Sequence, residues 1–89
     1  LCAILGEGTC EIALDLAEKS ELLIYLQLEE TADVERARRA ASAAGLYGIR
    51  VFVEKGDFER VHLANDLADA LIAVGRAAGM PEAEALRVV

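Results

Sequence analysis

The chain has no tryptophan, two phenylalanines, two tyrosines, one histidine and two cysteines among its 89 residues. With so few rings, the core has to come from Ala, Leu, Ile and Val. A hydrophobic content of 55% then describes helices packed on a buried sheet, not a disordered chain. The lone His62 cannot form a three-histidine metal site, and no His/Cys cluster has ligand spacing. Two cysteines do not make a disulfide framework. Cys2 falls on an apolar strand and Cys10 at a helix start, so both read as free structural thiols in a reducing, cytoplasmic compartment.

Positive charge is scarce as well. Nine Lys and Arg stand against sixteen Asp and Glu, for a net charge of −7, which argues against a general nucleic-acid phosphate binder. The one basic concentration, Arg36, Arg38 and Arg39, reads as a solvated helix face. No window reaches the ~18 continuous apolar residues that cross a bilayer, and the start lacks the basic region of a signal peptide. The first residue is not methionine and the last residues, Leu86–Val89, are mostly apolar. Residues 1–89 are therefore expected to be one portion of a larger domain, with the remainder of that domain as partner.

What is present is an ordered alternation. Ala3–Leu5 reads as a first strand, followed by the turn Gly6-Glu7-Gly8. A helix begins at Glu11 with Ile12, Leu14, Leu16 and Ala17 and ends at Glu18-Lys19-Ser20. Leu22–Leu28 is a nearly continuous apolar run, as in a parallel strand covered on both faces. Thr31 or Asp33 caps the next helix, Thr31 being the better N-cap, with a stripe of Val34, Ala37, Ala40, Ala41 and Ala44 and a stop at Gly45. Ile49–Val53 reads as a third strand, Gly56 as a turn, and Phe58–His62 as a short polar helix or turn. Ala70–Val74 reads as a fourth strand, with a helix from Asn65 as the alternative. Pro81 opens a last helix with Glu82 and Glu84 at its positive end and Leu86 inside. The order predicts a three-layer, Rossmann-like parallel α/β sheet of about four strands.

In such a sheet, ligands sit beyond the C-terminal ends of the strands. That rule gathers Gly6 and Gly8, Glu29 and Glu30, Gly56 with Asp57 and Phe58, and Val74 with Gly75. A carboxylate after strand two accepts from both ribose hydroxyls, Asp57 accepts from an exocyclic amine, and Phe58 covers a base; the ordered set points to an adenosine-containing ligand. Asp66 and Asp69 read as caps at the start of strand four. No Gly-Lys-Ser/Thr ending follows the glycine turn, and Ser20 and Ser42 have no neighbouring base, which excludes P-loop and serine-hydrolase chemistry.

These motifs resemble the class I S-adenosylmethionine-dependent methyltransferase family. The matching residues are Ile4-Leu5-Gly6-Glu7-Gly8-Thr9, Leu14-x-Leu16-Ala17-Glu18, the acid at Glu29 or Glu30, Arg38–Ala41 with Ala44-Gly45-Leu46, Val51–Val53 with Gly56-Asp57, and Leu63–Leu71. Glu84–Val89 resembles the helix that precedes that family's usual Arg-Pro-Gly-Gly turn. The resemblance implies S-adenosylmethionine as cofactor. The glycine turn would hold its methionine part, Glu29 or Glu30 the ribose, and Asp57 with Phe58 the adenine. Cys10 replaces the usual third glycine and is expected to crowd the cofactor.

The likeness is nearest to methyltransferase-like domains of larger bacterial proteins, some joined to β-propellers, which implies a periplasmic or envelope-associated parent as the alternative compartment. The acceptor-side strands are missing, so the methyl acceptor is not encoded here. Two alternatives stand beside the cofactor-binding reading: a degenerate, non-catalytic interaction domain, and an NAD-binding oxidoreductase segment. Fourth-strand residues Ala70–Val74 are also expected to leave an apolar sheet edge through which isolated copies associate.

Overall fold

The computed structural model describes residues 1–63 and 65–89, with all of their side chains except that of Arg76. Ala64, inside the stretch expected to lead into strand four, lies outside the described residues. The elements follow in the order β1 (Cys2–Leu5), α1 (Glu11–Lys19), β2 (Ile24–Leu28), α2 (Thr31–Ala43), β3 (Val51–Lys55), β4 (Ala70–Ala73), a 3-10 turn over Gly75–Gly79, and α3 (Glu82–Val88). The four strands form one parallel sheet in the order β3-β2-β1-β4.

Alternation along the two central strands divides the core. Cys2, Ile4, Ile24, Leu26 and Leu28 meet Ala13 and Ala17 of α1 and Val34, Ala37 and Ala41 of α2 on one face. Ala3, Leu5 and Tyr25 meet Phe58, Val61, Ala77 and Val88 on the other. The sheet is thus covered on both faces, as the unbroken apolar run of strand two requires.

Element ends differ from the sequence reading for identifiable reasons. β2 starts at Ile24, because Leu22 and Leu23 are exposed and their carbonyls serve other partners: Leu22 accepts from Arg50 and Leu23 from the Cys2 N–H. β3 is shifted two residues onward. Leu46 draws the N–H groups of Ile49, Arg50 and Val51 into a turn, which leaves Ile49 exposed. Thr31 is not the N-cap of α2. That position is Glu30, and the Thr31 hydroxyl accepts from Lys55 Nζ at 2.7 Å. Ala44 is exposed at the end of α2, beyond its buried stripe. In α3, Leu86 points to solvent and Val88 is the buried residue. Pro81 precedes the helix as its N-cap instead of lying in its first turn. Phe58–His62 forms turns, not a helix.

Three arginines tie the layers to backbone carbonyls. Arg50 Nη2 donates to the carbonyls of Ala17 (3.0 Å), Ser20 (2.5 Å) and Leu22 (2.9 Å), completing the C-terminal end of α1. Arg38, expected on a solvated face, is half-buried and donates to the Val53 carbonyl at 3.0 Å along the outer side of β3. Arg87 donates to the carbonyls of Leu63 and Val61, each at 2.8 Å, and to both oxygens of Glu84. Glu84 in turn accepts from the Val61 N–H at 2.6 Å. The Arg87 guanidinium holds the Glu84 carboxyl down at about 2, opposed by burial and aided by the Val61 bond.

The entry to α1 is strained. Cys10, its N-cap, has φ +64 and ψ +7 while fully buried, a conformation that glycine adopts freely and a Cβ residue adopts at a cost of roughly 1–2 kcal/mol. Cys10→Ala keeps the Cβ and its strain, whereas Cys10→Gly removes both. In urea unfolding, the Gly variant is expected to be about 1 kcal/mol more stable than the Ala variant, the reverse of the order found inside a helix; equal or opposite ranking would refute the strain.

The clamp from α3 gives a pH signature. A carboxyl whose folded pKa is lowered contributes stability that is fully present above its unfolded value, 4.5, and is lost as pH falls toward about 2. Stability curves of the wild type and Glu84→Gln should therefore lie apart above pH 4.5 and converge toward pH 2. Curves that stay parallel through that window would contradict the assignment.

Candidate functional site

Because the strands are parallel and in register, Leu5 pairs with Gln27 and Ala73, and Leu28 pairs with Lys55. All four C-terminal ends consequently open on one side of the sheet, where the chain leaves by Gly6, Glu29, Gly56 and Val74. Two clefts lie there. One of about 500 Å³ is bounded by Glu29, Asp57, Phe58, Glu59, Met80 and Pro81. The other, of about 100 Å³, is bounded by Gly6, Leu28, Glu29, Glu30, Asp33 and Phe58. Glu29 and Phe58 belong to both.

Five of the six residues singled out by the sequence, Gly6, Glu29, Glu30, Asp57 and Phe58, therefore come together. Gly8 does not line either cleft. A Cβ on Gly8 would lie 3.3 Å from the Asp33 carboxyl carbon, so this glycine admits the start of α2 to the loop. Gly6 serves a similar internal need. At φ +86, a Cβ there would stand 2.4 Å from the Val74 carbonyl oxygen, so β1 and β4 part only after passing in close contact.

The loop carrying Asp57 and Phe58 is held by Gln27, a fully buried polar side chain in the middle of β2. Its Nε2 donates to the carbonyls of Asp57 (2.7 Å) and Arg60 (2.9 Å). Its Oε1 accepts from the Tyr25 hydroxyl (2.6 Å) and the His62 N–H (3.0 Å). Burial, with the Glu54 carboxylate, pushes the Tyr25 phenol up to about 12, so it remains the donor in this group. Asp57 also fixes the loop tip by accepting from the Glu59 N–H at 3.0 Å. The His62 ring sits against Gly56, where an added Cβ would fall 2.7 Å from Cε1, and this gives the only histidine a packing role.

Several contributors were not singled out by the sequence reading. Gln27 was hidden inside an apolar run, and its signal was that one polar residue interrupts that run. Glu7 is buried between the two loop glycines and accepts from the N–H groups of Thr9 and Ile12, each at 2.9 Å, and from the Thr9 hydroxyl. A cysteine N-cap has no carboxylate or hydroxyl to satisfy the helix start, and that deficit was the clue to Glu7. Met80 and Glu59 form cleft walls. Gly75, expected at the site, lines neither cleft.

The electrostatic character is uniform. The lining contains Glu29, Glu30, Asp33, Asp57 and Glu59, and no lining residue among those described is basic. Arg36 pairs with Asp33 at 2.9 Å from the helix surface. Carboxylates of this kind accept hydroxyl and amine donors and attract cationic groups, and Phe58 offers an apolar surface beside them. Cys10 is fully buried in the core and lines neither cleft, so it does not crowd them as the resemblance implied. Burial, reinforced by Glu7, pushes its thiol up to about 11, which makes it a structural and not a reactive cysteine. Among the described residues, no group of acids, histidines and cysteines has the arrangement of a metal site, and no helix is long and apolar enough to cross a membrane.

No protein-family model and no curated protein matches the sequence. Solved structures do match. A candidate S-adenosyl-L-methionine-dependent methyltransferase from Methanococcus maripaludis superposes with a TM-score of 0.87 at 20% identity, over 99% of this chain and 42% of that one. The [4+2]-cyclase SpnF gives 0.86 at 26% identity, over 99% and 34%. A candidate sarcosine dimethylglycine methyltransferase from Galdieria sulphuraria gives 0.76 at 21% identity, over 81% and 27%. The chain thus spans less than half the length of each of these three structures. Its four-stranded parallel sheet with flanking helices is the fold of class I S-adenosylmethionine-dependent methyltransferase-like domains, represented in part.

Proposed function

We propose that the chain is the cofactor-binding portion of an S-adenosylmethionine-dependent methyltransferase whose acceptor is specified elsewhere in the protein. The observation that carries this reading is the convergence of Glu29, Asp57 and Phe58 on an acidic cleft of about 500 Å³ at the C-terminal ends of the strands. The donor set suits the adenosyl half of the cofactor. Glu29 or Glu30 accepts from the ribose hydroxyls, Asp57 from the adenine amine, and Phe58 covers the base. The same acidic lining favours a sulfonium and an ammonium over a pyrophosphate, and it weighs against the NAD-binding alternative. When bound, the cofactor supplies an electrophilic methyl group. This chain's part is to bind and orient it with carboxylates held on rigid strand ends.

The non-catalytic interaction domain is the second reading. The structures sharing this fold include a cyclase, so the fold by itself does not fix the reaction. Two buried thiols support a reducing, cytoplasmic setting as part of the leading proposal.

Calorimetric titration of the full-length protein with S-adenosylhomocysteine tests the proposal. Binding is expected, and each of Glu29→Gln and Asp57→Asn should weaken it about tenfold, as loss of a charge-assisted hydrogen bond does. Absence of binding at ~1 mM ligand would remove the cofactor claim and leave the interaction domain.

β4 pairs only with β1 and stands at the sheet edge with partly exposed Leu71 and Ile72. The remainder of the parent domain is its proposed cover, and the 89-residue segment alone should self-associate through that edge. Light scattering over a micromolar concentration series checks this, a monomer with cooperative melting being the contrary result.

A further inference from the structure

The loop after β1 has the form of an anion cradle, glycines leading into a helix start, yet its donors already face a carboxylate of the same chain. Glu7 is 7% exposed. Its Oε1 accepts from the Ile12 N–H, and its Oε2 from the N–H and hydroxyl of Thr9. The Thr9 oxygen in turn lies 3.4 Å from the Glu11 nitrogen. The N–H groups of Thr9 and Ile12, which would greet a phosphate at the positive end of α1, are thus engaged from within. Asp33 stands against Gly8 on the other side of the loop, and Glu29 and Glu30 share the adjoining cleft with Gly6. A second anion entering here would displace Glu7 from its donors and find further carboxylates around the loop, Asp33 among them paired with Arg36.

We infer that Glu7 is a specificity-determining residue that closes the glycine loop to anionic groups. The site then takes adenosyl ligands without phosphate and rejects adenine nucleotides and dinucleotides, a selectivity built from a repulsive element as much as an attractive one. The identity of the accepted ligand rests on the proposed cofactor reading; the exclusion of phosphate does not. In this arrangement a ligand's ammonium is drawn toward the loop, while a ligand carboxylate finds no free donors on Thr9 or Ile12.

Inorganic pyrophosphate and S-adenosylhomocysteine, titrated separately into the full-length wild type, Glu7→Ser and Glu7→Gln, provide the test. Ser is too short to reach the Ile12 N–H, so Glu7→Ser should bind pyrophosphate at least about tenfold more tightly than the wild type. Glu7→Gln keeps an acceptor for Ile12 but loses the charge and the acceptor for the Thr9 N–H, and should gain about threefold. Because Gln is nearly isosteric, it decides the matter if the Ser variant does not fold. Pyrophosphate binding by the wild type as tight as by the folded variants, or no gain in either, overturns the inference. Failure of S-adenosylhomocysteine to bind the wild type, alongside a gain in pyrophosphate affinity, would sink the cofactor reading while the role of Glu7 stands.

Discussion

One buried amide connects the scaffold to the chemistry. Gln27 makes four hydrogen bonds inside an otherwise apolar sheet, and two of them hold the backbone on which Asp57 and Phe58 are presented. A buried amide of this kind is tolerated only when its donors and acceptors are all engaged, and here they are. The arrangement is directional. The amide nitrogen faces the two loop carbonyls, and the oxygen faces the Tyr25 hydroxyl and His62 N–H. A leucine of similar size would fill the space and strand four polar groups. From the other side, Glu84 and Arg87 grip Val61, Leu63 and Asn65, so the same loop is fixed at both of its ends.

The glycines show that one motif can have two causes. Their usual meaning is that a ligand's backbone-like portion comes close, yet Gly6 and Gly8 here make room for the protein's own Val74 carbonyl and Asp33. The loop is consequently compact, its helix start satisfied by Glu7, and the open volume lies toward Glu29, Asp57 and Met80. That displacement of empty space, from the glycine loop toward the ends of β2 and β3, agrees with a ligand recognised chiefly through hydroxyls, an amine and an aromatic face.

Most of the architecture was legible in the sequence because the evidence for it is periodic. Unbroken apolar runs marked buried parallel strands, and the spacing of Val34, Ala37 and Ala41 marked the buried side of α2. That Glu29, Glu30, Asp57 and Phe58 would share one side of the sheet was legible because parallel register fixes where strand ends lie. What escaped was set by individual polar contacts that no period reveals. The turn around the Leu46 carbonyl moved the start of β3, the helix began one residue early so that Thr31 lies inside it and meets Lys55, and a deep amide looked like one more strand residue. Leu86 was misplaced because a seven-residue helix is too short for its apolar stripe to be read with confidence of phase.

The Arg50 guanidinium reaches back to Ala17, Ser20 and Leu22, contacts separated by 33, 30 and 28 residues of sequence. The last turn of α1 is therefore finished by a side chain that the ribosome supplies only after β2 and α2 have been made. Until that arginine arrives, the carbonyls of Ala17, Ser20 and Leu22 look to water, and the end of α1 is held locally by the Ser20 hydroxyl, which donates to the Leu16 carbonyl at 2.6 Å. The first β-α-β unit then gains these contacts only when the third strand docks, so a helix made early within this stretch is completed late.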